Sequence, residues 1–155
     1  MASTNTDTIS NLNCLTKTCK DGEAGFKTAA EHTQDPDLKA LFMNYAQQRA
    51  GFANDLRNAV LRLGGAAEDG GSITGAMHRG WMQLKSTVTG DSDAALIHEA
   101  ERGEDVAKAA YQKALDLDLP LDVQGIVQRQ FIQVKEAHDR IRTLERQLEL
   151  EPRKV

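Results

Sequence analysis

The sequence predicts an all-α protein, a bundle of four long helices. Apolar residues recur every three or four positions over four long stretches, and this spacing places them on one face of a helix. Only 3 of the 155 residues are proline, whereas strong helix formers such as Ala, Leu and Glu are plentiful. Turn-forming pairs separate the stretches, at Asp35-Pro36, Gly64-Gly65 and Leu119-Pro120.

Composition limits the class of protein and its partners. With 40% apolar and 27% charged residues, the chain is expected to form one domain, residues 1–155, with its own core. The net charge of −4 argues against nucleic-acid binding. No stretch is long and apolar enough to span a membrane, and the polar N-terminus lacks a secretory signal. We therefore expect a cytoplasmic protein that binds neither nucleic acid nor membranes, with Cys14 and Cys19 reduced.

The first helix is predicted over about residues 8–33. Its stripe consists of Ile9, Leu12, Leu15, Cys19, Gly22, Phe26, Ala29 and Thr33. Gly22 and Gly25 lie inside this helix, where each glycine costs about 1 kcal/mol relative to alanine. We expect that these glycines allow a neighbouring helix or a bulky side chain to approach closely.

The second helix is predicted over about residues 36–63. Asp35 is a favourable N-cap residue and Pro36 a favourable first helical residue, while Gly64-Gly65 ends the helix. Its stripe consists of Leu38, Phe42, Tyr45, Arg49, Phe52, Leu56, Ala59 and Leu63.

The connection that follows is long and contains a predicted short helix over about residues 75–88. Its residues His78, Arg79 and Trp81 are candidates for a binding surface; the alternative is that Trp81 covers the end of the core. The third and fourth long helices are predicted over about residues 92–117 and 121–150, and the bundle over about 8–150. A long central connection is typical of the ferritin-like arrangement, in which one crossover joins two antiparallel helix pairs.

Arg49 interrupts the apolar stripe of the second helix. A guanidinium at a core-facing position is costly unless an anionic group neutralises it. The other predicted helices carry carboxylates at the edges of their stripes. We therefore predict a buried charge cluster, whose members are Arg49, Glu23, Glu101 and Glu104. The alternative is that Arg49 binds an anionic ligand.

Several stretches resemble a known family. They are Asp21–Phe26, Gln48-Arg49, His78–Lys85, and Glu101–Asp105 with Tyr111. Over about residues 12–148 the sequence is similar to the bacterial four-helix-bundle proteins described as domain of unknown function 2383, a ferritin-like group. The His-Arg-Gly-Trp stretch is the most specific of these matches. The resemblance implies a ferritin-like fold and implies no activity.

A ferritin-type di-iron site needs one Glu from each of two helices and a Glu-x-x-His pair from each of the other two. This sequence departs from that pattern. The second helix has no such pair, and on the fourth helix Glu136 and His138 are two residues apart, which points their side chains in nearly opposite directions. Arg49 would also occupy the electrostatic role of the metal. We therefore expect no cofactor.

The alternative is that iron or another divalent metal binds to carboxylates in the bundle core. The third helix offers His98, Glu101 and Glu104 at intervals of three residues, although only part of this series can face inward. The candidate metal ligands are Glu23, Glu101, Glu104 and His138.

The sequence contains no nucleophile with its base, no phosphate-binding glycine loop and no zinc pattern, so it offers no catalytic or cofactor-binding residues. Two functions remain. The first is a non-enzymatic helical-bundle protein that acts in bacterial stress by binding a protein partner or by self-association, for example as a homodimer. The second is a divergent metal-binding or redox protein that uses the core carboxylates.

Overall fold

The computed structural model describes residues 5–67 and 93–150, which form four α-helices. These are α1 (Asn5–His32), α2 (Pro36–Arg62), α3 (Asp93–Leu115) and α4 (Leu121–Leu150). They confirm the four predicted long helices. The predicted short helix over residues 75–88, with the candidate surface of His78, Arg79 and Trp81, lies outside the described residues. None of the four helices is long and apolar enough to cross a membrane.

The ends of α2 follow from its flanking sequence, as predicted. Oδ1 of Asp35 accepts hydrogen bonds from the backbone N–H groups of Asp37 and Leu38, and Pro36 begins the helix. At the other end, Gly64 adopts a positive φ of 83°. Its N–H donates to the carbonyl of Leu61, and that of Gly65 donates to the carbonyl of Val60. This is the Schellman arrangement, which ends a helix by satisfying its last carbonyls.

The helices form a four-cornered bundle. α1 contacts α2 and α3, and α4 also contacts α2 and α3, so α2 and α3 lie at diagonal corners. The side chain of Asn13, near the start of α1, donates to the carbonyl of Ala66 at 3.1 Å. The hydroxyl of Thr33, just after α1, donates to the Asp93 carboxylate at 2.6 Å. The chain between α2 and α3 therefore joins opposite ends of the bundle, as the ferritin-like arrangement requires.

The apolar core consists of two clusters stacked along the bundle. One cluster lies around Cys19, Leu56 and Tyr111, and the other around Phe26, Phe42 and Leu96. On α2, α3 and α1 the boundary between them falls at polar or very small residues: Arg49, Glu104 and Gly22. The core is therefore divided by a layer that contains charge.

Two glycines at α2 provide a matched stability test. Gly51 is exposed inside the helix, and a Cβ added there would meet nothing within 4 Å. Gly51→Ala should raise the free energy of unfolding by about 0.5–1 kcal/mol, because alanine is the better helix former. Gly64→Ala should lower it by about 1–2 kcal/mol, because the side chain opposes the positive φ. Urea unfolding of both variants would measure these free energies. A loss of stability in Gly51→Ala would contradict the placement of Gly51 at an exposed position inside α2.

Candidate functional site

An ion pair between Arg49 of α2 and Glu104 of α3 crosses the diagonal of the bundle. Nη1 and Nη2 of Arg49 each donate to one carboxylate oxygen of Glu104 at 2.6 Å. Both side chains are 1% exposed. A two-pronged, charge-assisted bond of this kind is the strongest ordinary pairing available to a buried guanidinium.

The remaining surroundings of Arg49 complete its burial. Its Nε donates to the side-chain carbonyl of Gln48 at 3.2 Å, and its Cζ lies 5.5 Å from the centre of the Phe26 ring. A Cβ on Gly22 would lie 3.5 Å from Cγ of Arg49, so the bulky neighbour expected at this glycine is Arg49 itself. Burial alone would lower the pKa of Arg49, but the attraction and hydrogen bonds of Glu104 outweigh it and raise that pKa.

A chain of hydrogen bonds next to this ion pair links all four helices. The Tyr111 hydroxyl of α3 donates to the Gln130 side-chain carbonyl of α4 at 2.7 Å, and the Gln130 amide donates to the Phe52 carbonyl of α2. Sγ of Cys19 on α1 lies 3.1 Å from the same hydroxyl. Burial raises the pKa of the Cys19 thiol to about 11, so it stays protonated. Because the Tyr111 hydroxyl donates its proton to Gln130, the thiol is the donor in this contact. Both cysteines are free.

The structure separates two predicted members of the charge cluster from Arg49. Both oxygens of Glu23 accept from lysines of its own helix, Lys20 and Lys27, at 3.1 Å each. Glu101 lies against α4, close to His138 and Glu145. Three residues turn a helix by about 300°, which leaves Glu101 about 60° around α3 from Glu104. Of the three carboxylates proposed as partners, only Glu104 bonds to Arg49 among the described residues.

A second polar cluster lies where α3 meets α4, and we call it the α3–α4 seam. Its residues are His98, Glu101 and Asp105 of α3 with His138 and Glu145 of α4. The three residues of α3 follow a spacing of three and four, and the two of α4 are seven apart, so each set occupies one face of its helix. The two faces meet in the bundle.

The five side chains of the seam form two sets of three that share Glu101. One set is His98, Glu101 and Glu145, and the other is Glu101, Asp105 and His138. Within each set the potential ligand atoms all lie within 4.8 Å of one another. Nδ1 of His98 lies 3.4 Å from Oε2 of Glu145, and Nε2 of His138 lies 2.5 Å from Oδ1 of Asp105.

Two carboxyl groups of the seam lie close to each other. Glu101 and Glu145 have potential ligand atoms within 4.8 Å of one another, and their interaction raises the pKa of Glu101 and, together with nearby His98, lowers that of Glu145. Two carboxylates this close repel unless a proton or a cation lies between them. Oε2 of Glu145 lies 3.4 Å from Nδ1 of His98 and, within the described part of the chain, makes no hydrogen bond. The seam therefore offers carboxylate oxygens and imidazole nitrogens at distances that a cation could bridge.

The bundle centre does not suit a ferritin-type di-iron site. Both oxygens of Glu104 are occupied by Arg49, and both oxygens of Glu23 by lysines. Of the four candidate metal ligands from the sequence, the structure brings together only Glu101 and His138, and it does so at the seam.

Sequence reasoning missed Asp105 and Glu145 as members of a site. The series from His98 through Glu101 was extended by three residues to Glu104, whereas the seam continues by four to Asp105. Glu145 is not among the residues selected from the sequence, although its seven-residue spacing from His138 is a signal that both lie on one side of α4.

Comparison with known proteins supports the family and the fold. The family model described as domain of unknown function (DUF2383) matches residues 7–117. No curated protein matches the sequence significantly.

Three solved structures have the same fold as this chain. A two-domain protein from Anabaena variabilis with DJ-1/ThiJ/PfpI-like and ferritin-like domains has a TM-score of 0.76 at 15% identity, covering 99% of this chain and 41% of its own. A mutant of Dps1 from Mycobacterium smegmatis has a TM-score of 0.74 at 14% identity, and the match covers 91% of this chain and 96% of that one. The bacterioferritin-related protein of Bacteroides fragilis is described as a dodecameric thioferritin. It has a TM-score of 0.72 at 15% identity, and the match covers 90% of this chain and 84% of that one. At this identity the likeness concerns the fold alone.

Removing one partner of the central ion pair should be strongly destabilising. Arg49→Met leaves the Glu104 carboxylate buried without a counter-charge and should lower the free energy of unfolding by about 3–5 kcal/mol. The double variant Arg49→Met/Glu104→Leu should regain most of that loss, because no charge remains buried. Urea unfolding of the three proteins would measure both effects.

The control is an exposed ion pair on the surface of α3. Arg102 and Glu99 lie 3.1 Å apart there, and Arg102→Met should change the free energy of unfolding by less than about 1 kcal/mol. A loss under about 1 kcal/mol in Arg49→Met as well would contradict the structural importance of the central pair.

Proposed function

We propose that this chain, which belongs to the family described as domain of unknown function (DUF2383), acts by binding and that its ligand is a divalent metal ion held at the α3–α4 seam. From the sequence, the alternative metal site lies in the bundle core, and the present proposal keeps the metal but moves the site to the α3–α4 seam. The ion lies between two helices at the side of the bundle, whereas the core position is taken by Arg49 and Glu104.

The closeness of the Glu101 and Glu145 carboxyl groups carries this proposal. It places two carboxyl groups together beside an imidazole on each side, from His98 and His138. A divalent cation would remove the repulsion between the carboxylates and would bind Oε2 of Glu145, which makes no hydrogen bond among the described residues. A purely structural contact would not need two carboxyl groups and two imidazoles in the same place.

The donor atoms indicate which class of metal would bind. Imidazole nitrogen with carboxylate oxygen suits zinc, iron(II) or manganese(II), whereas calcium and magnesium prefer ligand sets made of oxygen alone. His138 is well placed as a ligand because its side chain is only 4% exposed, which fixes the ring. Oδ1 of Asp139 lies 3.4 Å from Nδ1 of His138, where an outer carboxylate would orient a metal-bound histidine.

Cobalt(II) provides a direct test, because it accepts the same ligands and absorbs visible light. The purified protein should bind cobalt(II) after dialysis, with metal content measured by mass spectrometry and coordination by absorbance. Glu101→Gln should weaken binding by at least about tenfold, since Glu101 belongs to both sets of ligands.

Glu23→Gln is the matched control for that experiment. It makes the same substitution at a partly buried helical carboxylate whose partners are lysines, so cobalt(II) binding should be unchanged. Metal content no higher than that of a buffer blank, or equal losses in both variants, would refute a metal site at the seam.

Self-association is a second candidate, and one observation favours it. Ile132, which is 51% exposed, lines a groove of about 480 Å³ together with Leu115 and Phe131. A solved structure with this fold is described as dodecameric. The groove is also lined by the polar residues Gln128, Lys135, Glu136 and Asp139. We propose that it lies between copies of the chain, since such a contact would remove the apolar side chain of Ile132 from water.

Light scattering after size-exclusion chromatography tests the assembly. The wild-type chain should have the mass of a multimer, and Ile132→Glu should shift it toward the 17.0 kDa monomer. Leu61→Glu is the control, because Leu61 is similarly exposed at 59% but does not line that groove. A monomeric wild-type protein would exclude this candidate and leave the metal proposal intact.

A further inference from the structure

The seam is arranged for two positions and not for one. Its five side chains fall into two sets of three, and the only shared member is Glu101. Each set holds one imidazole, one carboxylate of its own and the carboxylate of Glu101. The two imidazoles, from His98 and His138, belong to different sets.

Helix geometry explains this division. His98 and Asp105 are seven residues apart on α3, and so are His138 and Glu145 on α4, which separates each pair by about 10.5 Å along its helix. His98 lies opposite Glu145, and Asp105 lies opposite His138. A metal ion with bonds of about 2.0–2.2 Å cannot reach both ends of such an array.

Glu101 lies between the two ends, three residues after His98 and four before Asp105. Its carboxylate has two oxygens, and one oxygen could bind each ion. Metal pairs held in this way lie about 3.5–4 Å apart.

We propose that the α3–α4 seam binds a pair of divalent metal ions bridged by the Glu101 carboxylate. One ion is held by His98 and Glu145, and the other by Asp105 and His138. This inference rests on the proposed function, and it adds the number of ions and the role of Glu101. All its ligands come from α3 and α4, so it differs from a centre on the bundle axis that draws on all four helices.

The surroundings of the pair leave room for a further ligand. Each ion receives three protein ligands, and four or more are usual for these metals. His98 is 60% exposed and Asp105 is 61% exposed, so solvent reaches both ends of the seam. Water or a small anion could complete the coordination of each ion from the solvent side.

Metal stoichiometry tests the number of ions. Equilibrium dialysis against zinc(II) should give two ions per chain for the wild type and one for His98→Ala or Asp105→Asn, because each substitution removes a ligand from one set only. Both side chains are exposed, so both variants should fold, and circular dichroism checks this. His32→Ala is the matched control on α1, because the His32 ring pairs with the Thr28 carbonyl of its own helix and belongs to neither set of ligands, and this variant should still bind two ions.

Electron paramagnetic resonance tests the bridge. With two manganese(II) ions per chain, the wild type should show a spectrum broadened by coupling between the ions, and His98→Ala with one ion should show the ordinary uncoupled signal. Two ions without coupling would refute the bridge by Glu101. One zinc(II) per wild-type chain would refute the pair but leave the proposed function standing, whereas no bound zinc(II) would refute both.

Discussion

The bidentate bond between Arg49 and Glu104 is the interaction on which the arrangement of the bundle depends. A guanidinium and a carboxylate in an apolar core are tolerated only when each neutralises the other with good geometry. Because the two residues lie on diagonal helices, their bond fixes the rotation and the height of α2 against α3. A shift of either helix by one residue would turn its charged group about 100° away from its partner.

The same constraint sets the orientation of the seam. With Glu104 directed at the bundle axis, the positions of His98, Glu101 and Asp105 lie about 60–120° around α3 from it, on the side that meets α4. His138 and Glu145 are seven residues apart and therefore share one face of α4. The side chains that face each other across the seam are thus placed by the ion pair in the core.

The four helices and their ends could be predicted from sequence, because apolar periodicity and capping residues are local signals. The stripe around Arg49 and the Asp35-Pro36 and Gly64-Gly65 breaks are of this kind. The choice of partner for Arg49 is not local. Glu23, Glu101 and Glu104 are all at stripe edges, and which one reaches Arg49 depends on how helices distant in sequence are rotated against each other.

The seam could not be predicted from sequence for the same reason, namely that it depends on how two helices pack against each other. The spacing of His98, Glu101 and Asp105 is present in the sequence, but Glu145 becomes relevant only when α4 runs antiparallel beside α3 at one particular height. A fold of this kind does not by itself specify a function, since function depends on the groups placed upon it. Here the core carboxylate Glu104 is neutralised by arginine, whereas the three seam carboxylates meet two imidazoles, and among the described residues none of the three forms a direct ion pair with an arginine or lysine. Arg142 acts on Glu145 only from a distance, so negative charge is concentrated at the seam and would attract a cation there.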